Sequence, residues 1–231
     1  MSSDAAPLNI ADYRQLLAAN LKPDLAPLID FFCNRRRLSL MERMLRSHCP
    51  VMPRRVLNVG CGPFATECFA APLAKSTFVS FDYTPGFASL YDAMRAKGQL
   101  QRTDFFVGSA SEAEFEPESF DLILMHDLLY EPELDAQELL QRYHRYLAPR
   151  GLLFFDVMDA RARPLWKMLG KEIGHRRYDL RGLRTQLSDA YRIVDCAPYL
   201  GVKGPLDALF RRALWHGFGL ANNFAFLIRR H

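Results

Sequence analysis

Long apolar runs are missing from this chain. No window approaches the ~18 uninterrupted apolar residues of a membrane-spanning helix, so no span is expected. The opening Met1-Ser2-Ser3-Asp4 is polar and lacks the apolar core of a secretory leader. Cysteines are few and do not pair off. The five, at positions 33, 49, 61, 68 and 196, are odd in number and lack metal-ligand spacing. They read as reduced thiols of a cytoplasmic protein, and no metal site is expected. An excess of one charge is lacking as well. Thirty (30) Lys and Arg stand against 26 Asp and Glu, a formal net charge of +4, which does not call for nucleic acid as a partner. No internal repeat is visible, which sets aside solenoids and propellers.

What is present is a globular composition. The 231 residues are 49% hydrophobic, enough for one domain with a sizeable core and an added lid. The informative stretch is Arg55-Val56-Leu57-Asn58-Val59-Gly60-Cys61-Gly62-Pro63-Phe64. Val56, Leu57 and Val59 form an apolar run too short for a helix and bounded by turn residues, which predicts a buried strand. Gly60 and Gly62 take backbone angles closed to other residues and let a ligand approach the main chain. A helix is expected from Ala65. An ordinary tight connection would also use such glycines, so the turn alone decides little. The next predicted strand, Thr77 to Asp82, adds weight. Its terminal acid lies 20 residues after Gly62, a spacing at which a carboxylate can accept both hydroxyls of a ribose.

Together these features resemble motif I and the acid of motif II in class I S-adenosylmethionine (SAM) dependent methyltransferases. The resemblance continues through Phe105 to Glu114, Phe120 to His126 and Tyr146 to Leu153, in the family's order, over roughly residues 50 to 160. It implies an α/β fold, a Rossmann-like three-layer sandwich whose seven-stranded sheet is mostly parallel with an antiparallel last strand. It also implies SAM as cofactor, held by Asn58, Gly60, Cys61, Gly62, Asp82, Tyr83, Ser109, Ala110 and His126. Gly60 and Gly62 would meet the methionyl and ribose portions, Asp82 the ribose, and Tyr83 the adenine.

Three positions depart from the family pattern. Asn58 stands where an acid is common, and keeps hydrogen bonding while losing a carboxylate that would favour the ligand's ammonium. Phe64 replaces a common glycine, which suggests a differently shaped turn. Ser109 replaces the acid that usually meets the adenine amino group; its hydroxyl still hydrogen-bonds but carries no charge. Cys61 reads as a small side chain that fits the turn rather than a nucleophile.

His126 follows the predicted strand Phe120 to Met125, at the carboxyl end where open α/β sheets bind ligands. It is the candidate general base, because its ordinary pKa lies near operating pH. Packing against the sheet explains a histidine there equally well. Asp127, Tyr130 and Asp156 are lesser candidates.

The flanking regions read as covers. Residues 1–50 are expected to be a helical cap, with Ile10, Tyr13, Leu16 and Leu17 at helical spacing and a second helix from about Pro27 to His48. Leu38, Met41, Met44 and Leu45 form its apolar face, and Arg35, Arg36, Arg37, Arg43 and Arg46 a basic, solvated one. Residues 51–231 are expected to be the SAM-binding core, with lid segments near 158–185 and 199–222. The first lid holds the most basic window of the chain. The second alternates apolar and basic residues and contains His216, Trp215 and Phe218, as an amphipathic helix does. Basic residues beside Trp and Phe also suit peripheral contact with a membrane.

The favoured reading is methyl transfer from SAM to oxygen, nitrogen or carbon of a small-molecule acceptor, apolar or anionic. An RNA methyltransferase is the alternative among enzymes. A catalytically silent SAM-fold protein that binds a partner or membrane is the alternative outside them, since a fold does not fix a function.

Overall fold

The computed structural model describes residues 8–168, 174–199 and 223–231. The chain divides into two compact units, Met1–Glu114 and Phe115–His231.

In the first unit, helix α1 (Ile10–Asn20) starts where the Asn9 side chain accepts from the Asp12 amide, and buries Tyr13, Leu16 and Leu17. The single helix expected from Pro27 to His48 is broken. A 3₁₀ turn (Ala26–Leu28) leads into the four-residue α2 (Ile29–Phe32), and α3 (Arg36–His48) follows. At the break the amides of Asn34 and Arg35 bond to Phe31 and Cys33 carbonyls, a tightening that asparagine favours. Helix α3 buries Leu38, Met41, Met44 and Leu45, the expected face. Its approach is less solvated than expected. The Arg37 guanidinium lies 3.6 Å from the Phe31 ring centroid, and that of Arg35 lies 5.2 Å from Phe69.

Strands β1 (Arg55–Val59), β2 (Thr77–Asp82) and β3 (Thr103–Val107) pair in parallel. The crossovers that parallel pairing demands are α4 (Ala65–Phe69) and α5 (Gly86–Ala96). Helix α4 is short because Pro72 lies just beyond it, in a 3₁₀ turn, Ala71–Leu73. Val56, Leu57, Val59, Phe81 and Leu90 are at most 1% exposed and form the centre of this unit's core.

The second unit contains β4 (Phe120–Met125), α6 (Ala136–His144), β5 (Leu147–Met158), α7 (Arg163–Met168), α8 (Leu180–Leu187), β6 (Tyr191–Tyr199) and β7 (Asn223–Arg230). Strand β4 runs parallel to β5, and β7 lies antiparallel to both β5 and β6. Strand β5 contains a bulge near its start, where pairing jumps from Phe120↔Leu147 to Leu122↔Leu152. Arg150 there adopts φ 64°, and a Cβ on Gly151 would sit 2.8 Å from the Ala148 carbonyl oxygen. The strand order is β3-β2-β1-β4-β5-β7-β6 in one seven-stranded sheet, with β7 antiparallel to both of its neighbours. This is the mostly parallel Rossmann-like architecture that the motifs implied.

The first lid segment is described in part. Arg176 donates to the Leu134 carbonyl at 2.8 Å and to Asp135 at 2.6 Å, and Tyr178 Oη donates to the Leu129 carbonyl at 2.8 Å. These bonds fasten it to the loop after β4. The segment 200–222 lies outside the described residues, and the amphipathic helix expected there with it. No described helix is long and apolar enough to cross a membrane.

Candidate active site

The glycine turn after β1 is held in the left-handed region of backbone space by three residues. Gly60, Gly62 and Phe64 adopt φ 65°, 58° and 65°. A Cβ built on Gly62 would meet no atom within 4 Å. Its glycine therefore answers to the backbone angle and leaves open space over the turn, room for a ligand to approach the main chain. The Asp82 side chain, at the end of β2, closes the turn. Its Oδ2 accepts from the Gly62 amide at 3.0 Å and its Oδ1 from the Thr84 amide at 2.9 Å. Each carboxylate oxygen keeps a second lone pair, so two ribose hydroxyls could still be accepted there. Tyr83, beside it, is 70% exposed and offers a ring face.

The remaining first-unit candidates lie at the same strand ends. The Cys61 amide donates to the Phe81 carbonyl at 3.0 Å. Its thiol is buried, and burial holds its pKa well above the ordinary value, which agrees with a fitting role and not a nucleophilic one. Ser109 Oγ accepts from the Ser111 amide at 3.2 Å, so it shapes the turn after β3 while its own proton remains to be donated. Ala110 follows it at intermediate exposure.

The second unit supplies His126. Its side chain is 7% exposed and stands edge-on to Phe154, with ring centroids 5.5 Å apart. Nε2 lies 3.4 Å from Asp127 Oδ2. Asp127 itself adopts φ 56°, uncommon outside glycine, and gives its amide to Oδ1 of fully buried Asp156 at 2.6 Å. His126, Asp127 and Asp156 each present a ligand-type atom within 4.8 Å of the others. The arrangement places two carboxylates beside an imidazole at the carboxyl ends of β4 and β5. Tyr130, a lesser candidate, instead packs its ring against His175, with centroids 4.7 Å apart.

Comparison with known proteins shows what this geometry is similar to. Residues 56–151 match the model of a methyltransferase domain. Over these residues the chain is similar to that family. Solved structures share the fold at low identity. The N-methyltransferase NodS from Bradyrhizobium japonicum WM9, in complex with S-adenosyl-L-homocysteine (SAH), is 19% identical with a TM-score of 0.59, covering 94% of this chain and 97% of its own. The magnesium protoporphyrin IX methyltransferase ChlM from Synechocystis PCC 6803, with bound SAH, is 12% identical with a TM-score of 0.64, covering 95% and 93%. A sarcosine dimethylglycine methyltransferase, so described provisionally, from Galdieria sulphuraria is 15% identical with a TM-score of 0.62, covering 95% and 97%.

The residue that sequence reasoning passed over is Glu67, on α4. Its Oε1 accepts from Asn58 Nδ2 at 2.8 Å and from Ser80 Oγ at 2.5 Å. The strand end where the motif has lost its acid thus still has a carboxyl group beside it, supplied from the helix. A signal was present: an acid two residues into a helix that follows a glycine turn projects back toward the strand ends, over its own preceding turn. The Phe64 departure also has a structural account. The backbone keeps the left-handed angle that a glycine would take freely, and the ring is fully buried, 5.0 Å from Phe105 and 5.7 Å from Tyr91 by centroids.

Proposed function

We propose that this protein is a methyltransferase that transfers a methyl group from SAM to oxygen, nitrogen or carbon of a small molecule. The observation that carries the reading is the Asp82 carboxylate hydrogen-bonded to the Gly62 amide beneath an open glycine turn. It joins the two sequence motifs into one cradle for a ribose and its flanking groups.

When bound, SAM would supply an activated methyl on sulfur, open to in-line displacement by a nucleophilic atom of the acceptor with SAH as the leaving group. The chain's residues do the rest. Gly60 and Gly62 admit the ligand to the backbone, Asp82 orients the ribose, and Tyr83 covers the adenine. Asn58 keeps a hydrogen-bonding amide at the strand end, backed by Glu67. Ser109 and Ala110 border the adenine end with a hydroxyl and a backbone amide. His126 receives the acceptor's proton, and Asp127 gives the ring a carboxylate partner that holds it while it does so.

Titration calorimetry with SAM and with SAH tests the cofactor half. Binding in the micromolar range is expected. Asp82→Ala should weaken both by roughly a hundredfold, since charge-assisted hydrogen bonds contribute about 1.5–3 kcal/mol each; unchanged affinity would remove Asp82 from the site. No binding to folded wild-type protein would turn the reading to a silent member of the fold. For the base, His126→Ala at full SAM occupancy should lower turnover about 100-fold or more, and an unchanged rate would leave the ring as packing.

A further inference from the structure

A cleft of about 790 Å³ opens in the second unit, within the size range of small-molecule sites. Its lining brings together Arg161, Arg181 and Arg184, with Asp179, Thr185 and Phe224. The register fixes where it opens. Phe224 pairs with Val157, and the neighbouring pair is Ala225↔Asp156. The cleft therefore lies near the carboxyl end of β5, the end at which Asp156 holds the Asp127 amide, with Phe224 and Val157 on the sheet face opposite Asp156.

The charges in it are arranged, not scattered. Arg161 donates from Nε and Nη2 to both oxygens of fully buried Asp159, at 2.7 to 3.2 Å. That grip leaves its remaining Nη1 edge to point elsewhere, and the side chain is 58% exposed. Arg184 is tethered by Nη2 to Cys196 Sγ at 3.2 Å and lies 6.0 Å from the Phe226 ring centroid. Asp179 spends both oxygens on the Arg181 and Gly182 amides, each at 3.1 Å, as the N-cap of the eight-residue α8. Its charge faces the helix terminus. With three guanidinium groups against Asp159 and Asp179, the lining is net positive. Arginine offers donors in a planar fork that matches carboxylate or phosphate oxygens, and two of these forks are already oriented by their partners. Leu180 and Phe224 supply an apolar wall for the remainder of a ligand.

We propose that this cleft binds the anionic group, a carboxylate or phosphate, of the methyl acceptor. The proposal rests on the methyltransferase reading above and names the substrate class within it: a small acid with an apolar portion. Bidentate capture at one end of the acceptor would fix which of its atoms is offered for methylation.

The test is titration calorimetry of the wild-type protein with benzoate and, separately, inorganic phosphate, with uncharged benzamide as control and SAH titrated in parallel. Wild type is expected to bind at least one of the two anions with a dissociation constant near or below roughly 1 mM, to lose affinity as salt rises, and to ignore benzamide. Benzoate binding alone marks a carboxylate acceptor, and phosphate binding alone a phosphorylated one. Arg181→Gln and Arg184→Gln should each weaken the anion about tenfold and leave SAH affinity within about twofold. If Arg184→Gln misfolds, Arg181→Gln, at an exposed position on α8, carries the test alone. The proposal is overturned if neither anion binds, if benzamide binds as well as benzoate, or if both folded variants bind the anion like wild type. Failure of SAH to bind would instead count against the cofactor reading, which the anion titrations do not measure.

Discussion

Glu67 carries the sharpest chemistry at the level of single residues. A carboxyl group buried against Asn58 and Ser80 has lost its hydration, and burial raises its pKa from the ordinary 4.5; the two hydrogen bonds it accepts oppose the rise without cancelling it. The sign of the consequence follows from proton linkage. The folded state holds the proton more tightly than the unfolded chain, so the folded protein gains stability at low pH. That gain is fully present below 4.5 and is lost as pH rises through the folded-state pKa. Glu67→Gln keeps an oxygen able to accept from Asn58 and Ser80 and removes the ionisable group. Denaturant melts across pH 4 to 8 (about one-unit steps) should show the variant gaining on wild type as pH rises, with a flatter profile. An equal pH dependence in both proteins would show that the buried carboxyl is not the linked group. The same pairing bears on the missing motif acid: Asn58 was readable as a lost charge, whereas its helical partner lies nine residues away, signalled only by an acid placed early in the helix after the glycine turn.

At the level of elements, the glycine turn is clamped from both sides by aromatic residues. From the helical cap, Tyr13 Oη donates to the Pro63 carbonyl at 2.8 Å in a buried setting, and its ring stands edge-on to Phe69 at 5.0 Å. Burial holds the phenol well above its ordinary pKa, so it remains a donor. Tyr13→Phe keeps the ring and orphans the carbonyl. A loss of about 1–2 kcal/mol is expected in denaturant unfolding; no loss would mean that water replaces the hydroxyl. From within the turn, Phe64 holds a left-handed angle that costs a side-chain-bearing residue roughly 1–2 kcal/mol, and its buried ring more than offsets that. The usual ranking of truncations should therefore invert. Phe64→Ala forfeits the ring and retains the strain, for a loss of about 3–5 kcal/mol. Phe64→Gly forfeits the ring and releases the strain, and should be about 1 kcal/mol less damaging. Glycine proving worse than alanine would deny that the angle is strained. Strands β1, β2 and β4 were legible from short apolar runs, because burial on both sheet faces leaves a plain signature. The break at Cys33 to Arg35 and the bulge inside β5 were not. Both depend on where the chain bonds its own backbone, and propensity speaks weakly to that.

For the whole molecule, the same separation appears between what the chain spells out and what folding assembles. The cofactor half was legible because its parts are local: two glycines, and an acid 20 residues on. The arginines of the cleft come from three places, the turn after β5, the first turn of α8 and its last turn, and they read in sequence only as a basic window. Cys196, which orients Arg184, lies on β6, and Asp159, two residues before Arg161, grips it only once the turn after β5 has formed. This division predicts how the molecule responds to its cofactor. A ligand that binds only the folded state raises stability by RT ln(1 + [L]/Kd), about 2.7 kcal/mol at a hundredfold excess over Kd. For a chain of this length such a gain raises Tm by roughly 5–10 °C. SAH at that excess should therefore shift the wild-type melting transition upward by that amount. Asp82→Ala, at the same concentration, should lose most of the shift, because the excess over its own Kd falls about a hundredfold. His126→Ala should keep the shift if its ring serves the acceptor alone, and lose part of it if the ring also touches the cofactor. The two variants thus divide binding from chemistry in one set of melts. A full shift in Asp82→Ala would move the cofactor away from the glycine turn, and with it the basis for reading Gly60, Gly62 and Tyr83 as its cradle.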